Sequence, residues 1–141
     1  MKITNDFLKE VMPASTEANR LKYLDWFNYY LPLYKIDTDE RIAAFFANIA
    51  VESGNLLYSE EIASGKAYEG RKDLGNINEG DGIKFKGRGL IQITGRNNYA
   101  ILSKDTGEDF VKNPELLQSP KYAVLSACWH FKKYVIDRKI V

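Results

Sequence analysis

Asp39-Glu40-Arg41-Ile42-Ala43-Ala44-Phe45-Phe46-Ala47-Asn48-Ile49-Ala50-Val51-Glu52-Ser53-Gly54 carries the strongest structural signal in the chain. Ile42, Phe45, Phe46 and Ile49 recur at helical spacing and define one apolar stripe. Thr38 is a good N-cap, Asp39 and Glu40 complement the positive end of the helix dipole, and Gly54 suits the position just past the end. At about 100° per residue, Glu52 falls within roughly 20° of Phe45, on the edge of the stripe. A carboxylate beside an apolar face is desolvated, and its charge in the last turn opposes the dipole. Both effects raise a carboxyl pKa, which suits a general acid at neutral pH. The plainer alternative is a solvated glutamate on a helix that ends sooner.

Outward from this helix, Ile3, Phe7, Leu8 and Val11 suggest a short first helix stopped by Pro13. Ser15 or Thr16 can cap a second helix carrying Leu21, Leu24, Phe27, Tyr30 and Leu31, ended before Pro32. Gly65, Gly70, Gly75, Gly80 and Gly82, with Asn76 and Asn78, predict a long irregular segment of turns and short strands up to Lys86. A loop of that length inside one domain is more often functional than idle. Leu90-Ile91-Gln92-Ile93-Thr94, between Gly89 and Gly95, reads as a short, mostly buried strand. Asn97 to Ser103 is helical, ending near Gly107, and Asn113-Pro114 and Ser119-Pro120 are cap-plus-first-turn pairs. The second pair opens a last helix with Val124, Ala127, Cys128, Phe131 and Tyr134 on one face. The expected fold is mainly α, with a small β element in the middle.

The 141 residues suffice for one domain with a real core, 1–141, and not for two ordinary ones. A formal net charge of +1 gives no global attraction to nucleic acid or anionic lipid. Cys128 is the only cysteine, which excludes an intrachain disulfide. With one histidine, His130, one cysteine and no second of either, neither a metal nor another cofactor is expected. Cys128 falls on an apolar helix face and His130 on the helix surface. Met1-Lys2-Ile3-Thr4-Asn5-Asp6 lacks the apolar core of a signal peptide, and no run is long enough to span a membrane. The expectation is synthesis in the cytoplasm, with any export by a route other than a cleavable signal.

Metal-free glycosidic cleavage needs a protonated carboxyl for the leaving oxygen and a second carboxylate to activate water or stabilise the cation. Glu52 is the acid candidate. Glu60 and Glu61 follow close enough to return toward the helix end, and strand alternation would turn only one of them into a cleft. Taken alone, a Glu-Glu pair in a polar loop is more often a solvated turn.

Four segments together resemble glycoside hydrolase family 19, and within it the phage endolysins and bacterial lysozyme-like members. They are Ala50-Val51-Glu52-Ser53-Gly54, Tyr58-Ser59-Glu60-Glu61, Tyr68-Glu69-Gly70-Arg71 and Lys86-Gly87-Arg88-Gly89-Leu90-Ile91-Gln92-Ile93-Thr94-Gly95-Arg96-Asn97-Asn98-Tyr99. The resemblance runs from about Arg41 to Phe131, and its specific part is Gly87 to Gly95. It implies a mainly α, α+β lysozyme-like fold with the small β element next to the cleft, and an inverting hydrolase of β-1,4-linked N-acetylated sugars, without a metal. By position it implies that Glu52 is the general acid and Glu61 the general base, ~6.5–9.5 Å apart around the attacking water. Gln92 and Thr94 match positions that bind sugar and hold that water, and Asn98 matches a substrate-binding asparagine. Without the resemblance, Gln92 and Thr94 would read as an ordinary exposed strand face. Tyr68, Glu69 and Arg88 complete the expected substrate contacts, with Glu69 also the competing base. Arg71 and Arg88 are candidates to pair with the carboxylates, and Lys84, Lys86, Arg88 and Arg96 to form a basic cluster facing an anionic wall. Such a cluster is more often a solvated face.

Two departures stand out. Val51 occupies a position where the family commonly has His, and the chain stops at Val141, before an Asn-Gly-Gly segment and basic residues that usually complete the cleft. A minimal enzyme, a truncated product and one part of a split lysin are the readings this leaves. The leading expectation is a peptidoglycan hydrolase of muramidase type. Its setting would be phage lysis or delivery to rival bacteria, with a holin, a secretion machine or an immunity protein as partner. A chitinase is the enzyme-class alternative, and a catalytically weak wall-binding module the alternative of another class.

Overall fold

The computed structural model describes residues 2–141. Among the described residues are six α-helices: α1 (Asn5–Val11), α2 (Glu17–Leu33), α3 (Asp39–Glu52), α4 (Asp81–Lys84), α5 (Arg96–Thr106) and α6 (Pro120–Phe131). Single 3₁₀ turns occupy Lys66–Tyr68, Lys72–Leu74 and Pro114–Gln118, and a π-helical turn, Lys132–Ile136, prolongs α6. Threonine hydroxyls begin the first three helices. Thr4, Thr16 and Thr38 accept from the N–H groups of Phe7, Asn19 and Arg41 at 3.1–3.2 Å, each satisfying a donor the helix itself cannot.

Two apolar clusters hold these elements. The larger packs α1, α2, α3 and α6 around aromatics that meet edge to face: Phe27 on Phe46 at 5.1 Å, Phe7 on Phe46 at 5.5 Å and Phe45 on Phe131 at 5.6 Å. Ile42, Phe45, Phe46 and Ile49 are all buried, as the stripe on α3 requires. Each such side chain contributes about 1.5–3 kcal/mol by leaving water. The smaller cluster, Phe85, Ile93, Tyr99, Leu102, Phe110, Leu117 and Trp129, lies under the glycine-rich block, and Ile91 packs against both. Cys128 is fully buried, and burial pushes its thiol far above the usual range. No helix among the described residues is long and apolar enough to cross a membrane.

Four sequence expectations require correction. α2 runs through Pro32 instead of stopping before it, because so near the C-terminus a proline removes a single helical bond, and the Tyr34 N–H still closes on Tyr30 O at 3.1 Å. Leu90 to Thr94 is not a strand. It is a tight turn closed by an antiparallel bridge between Arg88 and Ile93, with Gln92 at φ +57°. The expected β element is reduced to this bridge and a second, Glu60 to Arg88. Finally, α6 ends at Phe131, so Tyr134 belongs to the π-helical turn.

Candidate active site

Local geometry explains why Glu52 is followed by Ser-Gly. Ser53, fully buried, donates its hydroxyl to Ile49 O at 2.6 Å and accepts the Leu56 N–H at 2.9 Å, sealing the helix end. Gly54 then enters the left-handed region at φ +59°, with the Tyr58 ring only 3.0 Å from where a Cβ would stand. Asn55 and Leu56 continue left-handed at φ +57° and +66°, so the chain turns sharply away beneath Glu52. Ser53, four residues after Ile49, takes the inward position, and Glu52 is left exposed beside Val51 at 78 %. The burial expected for Glu52 is therefore absent in the free protein.

The second carboxylate is fixed through the glycine-rich block. Glu61 N–H donates to Gly87 O, and Gly89 N–H to Ser59 O, both at 2.8 Å, so Ser59-Glu60-Glu61 lies extended along Gly87-Arg88-Gly89. Gly89 sits at φ +85° with Ser126 Oγ 2.7 Å from a would-be Cβ, a position only glycine fills without strain. Alternation then separates the two glutamates. Glu60 pairs with Lys86 Nζ at 2.7 Å, while both oxygens of Glu61 accept from the Tyr68 hydroxyl, at 2.7 and 3.0 Å. That bond, helped by burial, raises the Tyr68 phenol above its usual pKa, so the hydroxyl remains a donor.

Glu52, Tyr58, Glu60, Glu61, Ile62, Ala63 and Gln92 line one open cavity of about 230 Å³. Gln92 is shared with a second cavity of about 360 Å³, walled also by Leu74, Ile91, Ile93, Thr94, Asn98, Trp129, His130 and Tyr134. The structure thus brings Glu52, Glu61 and Gln92 to one cavity, and Gln92, Thr94 and Asn98 to its neighbour. Gln92 and Thr94 reach the same place without strand alternation, both side-chain oxygens pointing at the space over Gly87.

Other expected contacts fall elsewhere. Glu69 does not line either cavity. Its carboxylate accepts from the N–H groups of Gly80 and Gly82 at 2.9 and 2.8 Å, tying down the start of α4. Arg88 is buried, donating to Lys84 O at 2.7 Å and to Tyr99 Oη and Gln118 Oε1 at 3.1 Å, so it braces the block from behind instead of meeting substrate. Arg71 pairs with Asp73, not with a cleft carboxylate. Arg96 grips the buried Asp81 through two bonds, which hold that carboxyl below its usual range, and Lys86 is taken by Glu60. The basic cluster is dispersed into these structural roles. Tyr68 acts on Glu61 and lines neither cavity.

Sequence reading overlooked Tyr58, Ile62 and Ala63 around the carboxylates, and the aromatic wall of Trp129, His130 and Tyr134. His130 is half-buried against this second cavity, not a surface residue, and burial lowers its pKa, aided by nearby Arg138. The four-residue spacing from His130 to Tyr134, with ring centroids 4.7 Å apart, was the available signal. No group of His, Cys, Asp and Glu among the described residues is arranged to hold a metal ion.

No protein-family model matches the chain. Relatives do. A Haemophilus influenzae protein described as containing a glycosyl hydrolase family 19 domain is 38% identical over 74 residues, 52% of this chain and 36% of that protein. An Arabidopsis thaliana endochitinase is 37% identical over 95 residues, 67% of this chain and 33% of that one. Chitinase 4 of Oryza sativa subsp. japonica is 31% identical over 100 residues, covering 70% of this chain and 35% of its own. The chain thus spans about a third of the length of these curated relatives. Among solved structures, chitinase C from Streptomyces griseus superimposes with a TM-score of 0.70 at 24% identity, over 92% of this chain and 65% of that one. A class IV chitinase from Zea mays gives 0.70 at 24% identity, over 96% and 72%. The class is that of mainly α, lysozyme-like glycoside hydrolase folds. Within it, the chain belongs to glycosyl hydrolase family 19.

Proposed function

We propose that this chain hydrolyses β-1,4-linked polymers of N-acetylated hexosamine by an inverting acid–base mechanism, with chitin-type glycans its preferred substrate. The observation that carries the reading is the meeting of Glu52 and Glu61 in one open cavity, the latter oriented by Tyr68. Glu52 donates a proton to the departing glycosidic oxygen. Glu61, ionised, takes a proton from a water attacking the opposite face of the sugar. A glycan laid across the cavity covers Glu52 and excludes water from the carboxyl that meets the glycosidic oxygen. Tyr68 is a positioning residue, holding both oxygens of Glu61 from one side and leaving lone pairs for the water. Exposed Ile62, which lines the cavity with the carboxylates, offers apolar surface to sugar C–H faces and N-acetyl methyls.

The names of the relatives favour chitin over peptidoglycan, whose backbone offers the same linkage. Both are tested by incubating the protein with colloidal chitin and with purified peptidoglycan and resolving soluble fragments by mass spectrometry. Chitin oligomers with an intact new reducing end are expected. Muropeptides alone would shift the substrate to peptidoglycan. Retention on either polymer with no fragment from either would replace the hydrolase reading with that of a binding module.

A further inference from the structure

Four of the nine tyrosines, Tyr29, Tyr30, Tyr34 and Tyr122, gather where the second half of α2 meets the start of α6. Tyr30, Tyr34, Tyr122, Thr106, Glu108 and Lys121 wall a cavity of about 340 Å³, with Leu125 and the exposed Leu33 beside them. This cavity shares no residue with the two at Glu52 and Gln92. Helix geometry orders its rings. Four-residue spacing sets Trp26, Tyr30 and Tyr34 in one column along α2, with successive centroids 6.2 and 6.5 Å apart. Tyr29, 58 % exposed, stands edge-on to Tyr30 at 4.8 Å. Lys121 joins the column to the α6 wall, its Nζ 5.7 Å from the Trp26 centroid and 5.3 Å from that of Tyr122. Trp26, Tyr34 and Tyr122 are only half-buried, so ring surface is left uncovered around the cavity.

The polar groups narrow the ligand. Burial raises the Tyr30 phenol to about 12, and burial with the neighbouring Glu108 carboxylate raises Tyr122, so both hydroxyls keep their protons and donate as well as accept. Lys121 adds donors and Glu108 acceptors, and among the described residues no ion pair engages either. One charge of each sign selects neither an anion nor a cation. An acyl chain would strand the phenols and the two charges without partners. A neutral pyranose satisfies the whole lining: its C–H faces pack on rings, and its hydroxyls and acetamido group meet the phenols, Lys121 and Glu108. The column advances about 6 Å for every four residues of helix, comparable to the advance per sugar along an extended β-1,4 chain. We infer that this cavity is a second binding surface for a neutral β-1,4-linked N-acetylhexosamine polymer, separate from the cleft, which holds the protein on an insoluble chain while the cleft works. Only the identity of the polymer rests on the hydrolase reading.

The test is an amide NMR titration of the Glu61→Gln variant with a soluble chitin oligosaccharide, and separately with a proline-rich peptide, the other ligand that aromatic grooves accept. The oligosaccharide should move two groups of signals, one around Glu52 and Gln92 and one around Tyr30, Glu108 and Lys121. Lys121→Ala and Tyr122→Ala, in the same background, should each weaken binding at the second group about 3–10-fold, with the first group titrating as before. Adsorption to insoluble chitin should fall by a similar factor. Lys121 is exposed, so its variant decides the matter even if Tyr122→Ala, which loses an edge contact to Phe110 at 5.2 Å, does not fold. Movement confined to the first group, or a second group that moves with the peptide and not with the sugar, would overturn the inference and leave the hydrolase reading standing. Movement confined to the second group would keep this surface and retire the cleft as the site of hydrolysis. No movement in either group would overturn both.

Discussion

Replacing Tyr68 by Phe removes the one hydroxyl that holds Glu61 and nothing else. Its oxygen lies 2.7 and 3.0 Å from the two oxygens of Glu61, but a hydroxyl has one proton, so one bond's worth of energy is at stake. A hydrogen bond to a charged group is worth about 1.5–3 kcal/mol, and Tyr68 is only half-buried, which favours the lower end. About 1.5 kcal/mol corresponds to roughly tenfold in rate if the bond serves to orient the base in the transition state. Steady-state kinetics on a soluble chitin oligosaccharide should therefore show kcat falling about tenfold with KM little changed. The thermal midpoint should move by no more than a few degrees. Repeating the change in a Glu61→Gln background isolates the coupling, because a residue acting only through Glu61 should then have no further effect. A full tenfold loss in that background, or no loss in the parent, would refute the assignment of Tyr68 as the positioning group of Glu61.

Glu69→Gln should separate the two candidate bases. It weakens the hold on Gly80 and Gly82, lowering stability by about 1 kcal/mol in chemical denaturation, yet leaves kcat unchanged, whereas Glu61→Gln abolishes turnover with the fold intact. Gly87→Ala would place a Cβ 2.8 Å from Gln92 Oε1 and 3.2 Å from Thr94 Oγ1, forcing the flexible Gln92 amide aside by about 0.6 Å. Oligosaccharide kcat/KM should fall about tenfold, with a midpoint shift small beside it. Because the folded pKa of His130 is depressed, the unfolded chain binds its proton first as pH falls. Stability should therefore be highest above the unfolded pKa of about 6.5 and decline below it towards the folded value. His130→Gln should flatten that part of the curve of denaturation midpoint against pH.

The helical frame was legible because its signals are local. Thr38 caps α3 as read, Thr16 is the one of the two candidates that caps α2, the stripe of Ile42, Phe45, Phe46 and Ile49 is buried, and Ser119-Pro120 opens α6. The turn at Gly89 to Ile93 was not, because Leu90, Ile91 and Ile93 imitate a buried strand and nothing local reveals that Gln92 is left-handed. Glu52 shows the limit of a helical wheel at a helix end, where the left-handed run Gly54-Asn55-Leu56 decides which neighbour turns inward. Charged residues were the least legible. Glu69, Arg88 and Arg96 resemble site residues by type and spacing, but their partners, the Gly80 and Gly82 amides, Tyr99 and Asp81, become neighbours only when the loops fold. The same holds for His130 and Tyr134, whose cavity is completed by Gln92 and Asn98, far earlier in the chain.

The most direct measurement is one-dimensional proton NMR of a chitin oligosaccharide during hydrolysis, reading the anomeric configuration of the first product for wild type and for Glu52→Gln. The wild type should release the α-anomer, the outcome of a single displacement by water held at Glu61, and Glu52→Gln should slow release about 10²–10⁴-fold. A β-anomer, or a Glu52→Gln variant that cleaves as fast as its parent, would contradict the pairing of Glu52 and Glu61 as acid and base.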